Sequence, residues 1–494
     1  MKMLSTRGGA SVSAAHSIVC GLAPDGGLYV PETLPMLSPT FAADMAGQTY
    51  AQRAQTVLAP FLPTYANLPA ICTAAYGERF THPSVAPVRT IDGVTYLLEL
   101  FHGPTLAFKD MALQIMPHLL AAGAAIEGVK DEALILVATS GDTGKAALEG
   151  FCDAPGVRIA VYYPEEGVSA MQKLQMQTQR GGNVAVIAVR GNFDDAQTGV
   201  KRMFADEALA KRLRAKNIAF SSANSINWGR LAPQIAYYAS AYADVVASGT
   251  IKDGQALNVC VPTGNFGNIL AAYYAKRMGV PIGKLICASN RNRVLADFIQ
   301  TGVYDRRREF FATTSPSMDI LVSSNLERLL FELFGRDADA VRACMDDLTH
   351  KGVYDIGEAA RSAVQGMFEG GWCDDAEAGR AMAETWQQSR VLLDPHTAVA
   401  AKVLGDYRKN TGDATPTLIV ATASPYKFAP SVLKAFHQPV PDDDFAACDA
   451  LAAYTGVPAP QAIAELKGLP VRHSASCEKD GMHKALLQQF GGLL

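Results

Sequence analysis

"LNVCVPTGNFGNILAAYYAKRMG", residues 257–279, holds three signals in succession. Residues 257–263 form a short, nearly continuous apolar run, the pattern of a strand buried on both faces of a parallel sheet. The run stops at Thr263-Gly264-Asn265-Phe266-Gly267-Asn268, and an apolar helix begins at once. Unpaired amides at such a helix start, which can be approached closely because glycine has no side chain, form a cradle for a phosphate. The loop carries no positive side chain, so main-chain amides would do the binding. Taken singly, the stretch suits a plain structural turn equally well.

The same rhythm runs through the chain on either side. Short apolar runs at 134–139, 158–164, 184–189, 218–222, 284–289 and 417–423 each end in Gly, Ser, Asn or Pro. Helical patterns lie between them at 168–179, 194–213 and 230–246, long enough for right-handed crossovers. The fold class is therefore α/β, doubly wound, with mostly parallel sheets. Residues 323–410 are mostly helix-forming, with apolar spacings of three and four in "NLERLLFELFG" (325–335) and "EAGRAMAETWQQS" (377–389), and predict an accessory helical layer. The first hundred residues are rich in Pro and Gly and separate from the rest near residues 76–100.

Composition narrows the function classes. Among 494 residues, 44 Lys and Arg stand against 48 Asp and Glu, with no basic block or long acidic tail. Neither nucleic acid nor an anionic membrane is an expected partner; a small molecule is. No apolar run approaches the roughly 18 residues of a membrane helix, and the N-terminal stretch lacks a signal-peptide core, so it reads as part of the fold. Nine cysteines without a CxxC pair and nine histidines without an HExxH pair give no disulfide framework and no expected metal. Reduced thiols in a cytoplasmic protein are the expectation.

Lys109, in "FHGPTLAFKDMALQ" (101–114), sits directly behind Leu106, Ala107 and Phe108. A chain turning inward there would bury its ammonium, which must then lose its proton, find a partner or react. The ordinary alternative is a solvated amine on a buried stem. "VATSGDTGKAALEGF" (137–151) is again strand, glycine turn and helix. It fails as a nucleotide loop because Thr139 stands where a Gly belongs and Ala146 follows Lys145. Ser140, Thr143 and nearby amides still suit a carboxylate or phosphate. "SSANSINWGRLAPQ" (221–234) sets Asn224, Ser225, Asn227 and Arg230 after a strand, either as a second anion site or as an ordinary capped loop.

Together with "STRGG" (5–9), "GLAPDGGLYVPE" (21–32), "GNFDDAQ" (191–197), "PSMDILVSSNLERLL" (316–330) and "LDPHTAVA" (393–400), these segments resemble, in order and along nearly the whole chain, the threonine synthases of the pyridoxal-phosphate fold type II superfamily. The resemblance is to the longer bacterial and fungal branch. It implies two domains flanking a pyridoxal 5'-phosphate cleft: a large one from 96–135 and 250–494, and a smaller mobile α/β domain from 136–249, preceded by an N-terminal region, 1–95. By the same resemblance Lys109 is the lysine that forms the Schiff base and moves protons. Gly264, Asn265, Phe266, Gly267 and Asn268 hold the cofactor phosphate, and Thr422 faces the pyridine nitrogen. Ser140, Asp142 and Thr143 lie near the substrate carboxylate and the cofactor ring, and Asn224, Ser225 and Arg230 at its phosphate. Where the family often reads T-A-H-P-A-K-F, this chain has Ser424 and Tyr426 in the His and second Ala positions.

The implied reaction takes O-phospho-L-homoserine and water to L-threonine and phosphate by β,γ-elimination and water addition, in a monomer or homodimer. Segment 137–200 is expected to move as a lid. The alternatives are a phospho-lyase or dehydratase giving 2-oxobutyrate and ammonia, and a silent small-anion binding protein that has kept the fold.

Overall fold

All seven apolar runs become strands, and they divide between two sheets. The computed structural model describes residues 1–139, 141–166 and 168–491. In the larger sheet Phe368–Trp372, Ile282–Ser289, Leu257–Pro262, Thr417–Ala421 and Thr95–Glu99 run parallel in that order, and Val88–Asp92 closes the edge antiparallel. The smaller sheet is wholly parallel, in the order Ala475–Glu478, Val184–Arg190, Val157–Pro164, Glu132–Ala138 and Ile218–Ser221. Central strands such as Leu257–Pro262 are buried at every residue. That is why they read as unbroken apolar runs rather than as alternation.

Residues 323–410 are mostly helical, as the sequence leads one to expect, and hold in addition Phe368–Trp372, an edge strand of the larger sheet. Its sequence, FEGGW, carries no β-branched residue, and the reason is steric: a Cβ at Gly370 would lie 2.7 Å from the Ala296 carbonyl oxygen of the helix packed on it. The single helix read at 194–213 is two, Phe193–Ala205 and Glu207–Arg214; Asp206 breaks the first and caps the second by accepting from the Leu209 amide. Helix Trp228–Ala247 falls inside the expected small domain, yet it packs in the largest core with the N-terminal helices. Trp228 sits edge-on to Phe61 and to Tyr274, at 5.5 and 5.8 Å between ring centroids. Residues from the N-terminal region, 1–95, pack in that same core. Finally, Ala475–Glu478 crosses from the large domain to the edge of the small sheet.

The N-terminal "STRGG" motif has a structural use. The Arg7 guanidinium grips both carboxylate oxygens of Glu327 at 3.0 and 2.8 Å, and the Ser5 hydroxyl donates to Asp25. This ties the first strand, Lys2–Ser5, to helix Leu326–Leu333. Among the described residues no helix is long and apolar enough to cross a membrane.

Candidate active site

The loops of interest leave the carboxyl ends of parallel strands from both sheets, where open α/β sheets place ligands. Leu257–Pro262 delivers 263–268, Thr417–Ala421 delivers Thr422, Glu132–Ala138 delivers 139–142, and Ile218–Ser221 delivers 222–230.

Lys109 is turned into this cleft by a kink just before it. Leu106 has φ of 59°, a left-handed conformation unusual for a bulky residue. Neighbouring bonds over-determine it: the Leu106 amide donates to Gly103, Ser424 donates to the Leu106 carbonyl, and the Phe108 amide donates to the Thr422 carbonyl at 2.8 Å. The Lys109 side chain is only 11 % exposed. Its Nζ donates to Ser317 Oγ at 3.1 Å and lies 3.7 Å from Asp142 Oδ2. Burial lowers the amine to about 8; Asp142 opposes this, and the cations Lys427 and Arg230 reinforce it.

Asp142, first residue of helix Asp142–Phe151, is the carboxylate around which these cations gather. Its Oδ1 accepts from Lys427 Nζ at 2.5 Å and from Gln172 Nε2 at 2.9 Å. Burial alone would raise its pKa, but Lys427 and Lys109 outweigh that and hold the carboxyl far below the usual range. In this structure the Asp142 side chain serves the two amines, Oδ1 facing Lys427 and Oδ2 facing Lys109. Thr143, one residue on, is half-buried. Ser140 lies outside the described residues.

Arg230 is buried, and burial lowers it to about 10. One terminal nitrogen donates to the Ala223 carbonyl at 2.6 Å, while the buried Nε has no partner among the described residues. A desolvated guanidinium with a free donor calls for an anion. Asn224 and Ser225, half-buried, stand on the same loop.

The 264–268 turn is a main-chain cradle. Phe266 has φ of 62° at the start of helix Gly267–Arg277, and its buried ring packs on Phe368 at 5.8 Å. A left-handed residue in such a turn aims successive amides to one side. Ser323 Oγ donates to the Gly264 carbonyl at 2.9 Å, and the Asn325 amide to the Asn265 carbonyl at 3.2 Å. A Cβ at Gly264 would meet the Ser317 carbonyl oxygen at 2.5 Å, so the turn lies against the very residue that holds Lys109. The Asn268 Oδ1 accepts from the hydroxyls of Tyr237 and Tyr238, while its buried Nδ2 has no partner among the described residues.

Five contributors carried no chemical signal in the sequence. Lys427 stands in "ATASPYKF" (421–428), a motif whose sequence draws attention to Thr422, Ser424 and Tyr426 instead. Ser317, His396 and Asp394 form a chain behind Lys109: the Ser317 amide donates to His396 Nε2 at 3.2 Å, which leaves the ring proton on Nδ1 for Asp394 Oδ1 at 2.7 Å. Tyr426, where the family often has Ala, is buried away from the cleft and donates its hydroxyl to the Val457 carbonyl. The Ser424 main chain helps pin Leu106. Arg328, fully buried, donates to the carbonyls of Tyr29 and Ile226 and to Asn325 Oδ1, tying the N-terminal region to two site loops. No group of three or more His, Cys, Asp or Glu side chains among the described residues is placed to hold a metal.

A buried reactive amine beside a main-chain anion cradle, in the cleft of two parallel sheets, defines an enzyme that holds a phosphorylated aldehyde. Residues 83–423 match the family model of the pyridoxal-phosphate dependent enzymes, and residues 2–76 that of the threonine synthase N terminus. The chain belongs to the pyridoxal-phosphate dependent enzymes and carries the N-terminal region of threonine synthases. It is 40 % identical to threonine synthase of Pseudomonas aeruginosa over 439 residues, 88 % of this chain and 90 % of that one. Human threonine synthase-like 1 is 44 % identical over 435 residues, 85 % of this chain; the match spans only 58 % of that longer protein. The crystal structure of PLP-bound threonine synthase from Brucella melitensis superposes with a TM-score of 0.87 at 36 % identity, covering 99 % of each chain.

Proposed function

We propose that this chain is a threonine synthase, converting O-phospho-L-homoserine and water to L-threonine and phosphate. The observation that supports it most is the pairing of two anion-seeking places with one buried amine: the amide turn at 264–267 and the free Nε of Arg230, both beside Lys109. Two anchors suit a phosphorylated cofactor and a phosphorylated substrate meeting at one lysine. The residues fit pyridoxal phosphate: Lys109 for its aldehyde, Gly264 to Gly267 for its phosphate, and Thr422 as a neutral partner for the ring nitrogen.

When bound, that cofactor supplies an electron sink that acidifies the protons near the substrate amino group. The protein does the rest. Lys109 in its free form takes the α-proton and then a β-proton, and returns one at the end; a buried amine lowered to about 8 can do both near neutral pH. Arg230, with Asn224 and Ser225, holds the γ-phosphate and accepts its growing charge as it leaves. Thr143, with Ser140, orients the carboxylate. Segment 137–200, which carries two strands of the small sheet, closes to keep bulk water from protonating carbon prematurely; identical backbone positions in free and ligand-bound crystals would remove this point. The nine cysteines are unpaired, in keeping with a cytoplasmic location.

The deciding experiment incubates the holoenzyme with O-phospho-L-homoserine and measures phosphate, threonine and 2-oxobutyrate together. Threonine equal to phosphate supports the reading. Equal 2-oxobutyrate supports the phospho-lyase instead, and no turnover with a borohydride-insensitive protein points to a silent binder. Lys109→Ala should lose both the cofactor absorbance fixed by borohydride and all turnover.

A further inference from the structure

Lys427 has no exposed side-chain surface, so it cannot be a ligand that substrate meets from the cleft. A buried ammonium is costly unless paired and hydrogen-bonded, and this one is both: Nζ donates to the Thr105 carbonyl at 3.0 Å and to Asp142 Oδ1 at 2.5 Å. It comes from the short turn Pro425–Phe428 after a strand of the larger sheet, whereas Asp142 begins a helix of the smaller one. The carboxylate is thus divided between two amines, Oδ1 to Lys427 and Oδ2 to Lys109. The contacts are unequal: 2.5 Å to the first and 3.7 Å to the second.

We propose that Lys427 is a positioning residue for the reaction at Lys109: by saturating one oxygen of Asp142, it lets that carboxylate steer the Lys109 amine without capturing it as a closed ion pair. This rests on the reading that Lys109 is the reacting amine, though not on which substrate it serves. Were Lys427 absent, the whole charge of Asp142 would fall to Lys109, and the repulsion between the two amines would vanish with it. Both changes favour the protonated amine, which can neither hold an aldehyde nor take a proton. The charged groups acting on Lys109 are Asp142, Lys427 and Arg230; Ser317 Oγ is its neutral partner. Arg230 is left in place, so the balance is set by the Asp142–Lys427 pair.

The test uses cofactor-free protein and needs no substrate. Reductive methylation of Lys109 is followed against pH by peptide mass spectrometry, which gives the midpoint at which the amine becomes reactive. In the parent it should lie near 8. Lys427→Met should move it upward by about one pH unit or more, and Asp142→Asn should move it down by a similar amount. Opposite shifts are the signature of a shared carboxylate, since mere loosening of the site would carry both variants toward the ordinary lysine value. A parent midpoint near that of an exposed lysine, or an unmoved or lowered midpoint in Lys427→Met, overturns the proposal. Should Lys427→Met fail to fold, the parent and Asp142→Asn midpoints decide it alone. Failure here with threonine still formed would spare the proposed reaction, and the reverse outcome would spare Lys427.

Discussion

Gly264→Ala tests whether the cradle and Lys109 form one unit. The added Cβ would lie 2.5 Å from the Ser317 carbonyl oxygen and 3.4 Å from Met318 Cα, both main-chain atoms with no rotamer to yield. Restoring ordinary contact at about 3.4 Å requires the two segments to part by roughly 0.9 Å, and overpacking of that kind costs about 1–3 kcal/mol. Ser317 cannot drift freely, because its amide is held by His396 and its hydroxyl by Lys109. The strain therefore falls on the cradle, and converted at about 1.4 kcal/mol per decade it weakens pyridoxal phosphate binding by roughly 5- to 150-fold. Gly267→Ala is the internal control. Its Cβ would meet nothing nearer than Asn325 Nδ2 at 3.4 Å, in a helix where alanine is preferred. Titration of each apoprotein with pyridoxal phosphate, read by absorbance, should separate the two: a large loss at 264 and a change within about threefold at 267, since nothing there must move. Equal affinities for Gly264→Ala and the parent would refute the claim that the turn and Ser317 share one tight contact.

Arg230→Gln should raise the Michaelis constant for O-phospho-L-homoserine by roughly 10- to 150-fold, the worth of a charge-assisted bond, with pyridoxal phosphate affinity little changed; steady-state kinetics beside a cofactor titration checks it. Ser317→Ala removes the hydroxyl that receives the Lys109 amine, and should lower kcat by about tenfold while leaving KM within twofold, consistent with loss of one aligned hydrogen bond. Tyr426→Phe deletes the bond to the Val457 carbonyl and should cost about 1 kcal/mol of stability in a thermal melt, with turnover unaltered.

Much of the frame was legible because its signals are local. Parallel strands buried on both faces must be apolar along their length, so all seven runs could be read directly, and a glycine turn between strand and helix marks a cradle within six residues. Lys109 was only half legible: three apolar neighbours suit a stem that goes inward, but the family resemblance is what singled out its amine. What escaped was either masked by a packing constraint or made by partners remote in sequence. Strand Phe368–Trp372 has glycine where a helix presses on it, which erases the strand signature. Lys427 finds Asp142 at a separation of 285 residues, and the Ser317 amide finds His396 at 79. No periodicity encodes such meetings. The setting of Asp142 escaped for the same reason: a carboxylate beside a glycine turn says nothing of the two amines that will surround it.

The placement of strand Ala475–Glu478 beside Val184–Arg190 bears on how the polypeptide matures. During synthesis the four strands between residues 132 and 221 can assemble early, but the outer rim of Val184–Arg190 must wait for a segment made long afterward. Until then it offers bare amides and carbonyls to any neighbouring nascent chain. Ribosome-bound intermediates halted before residue 475 should therefore be the aggregation-prone species, and chaperone demand should fall once that last strand has emerged.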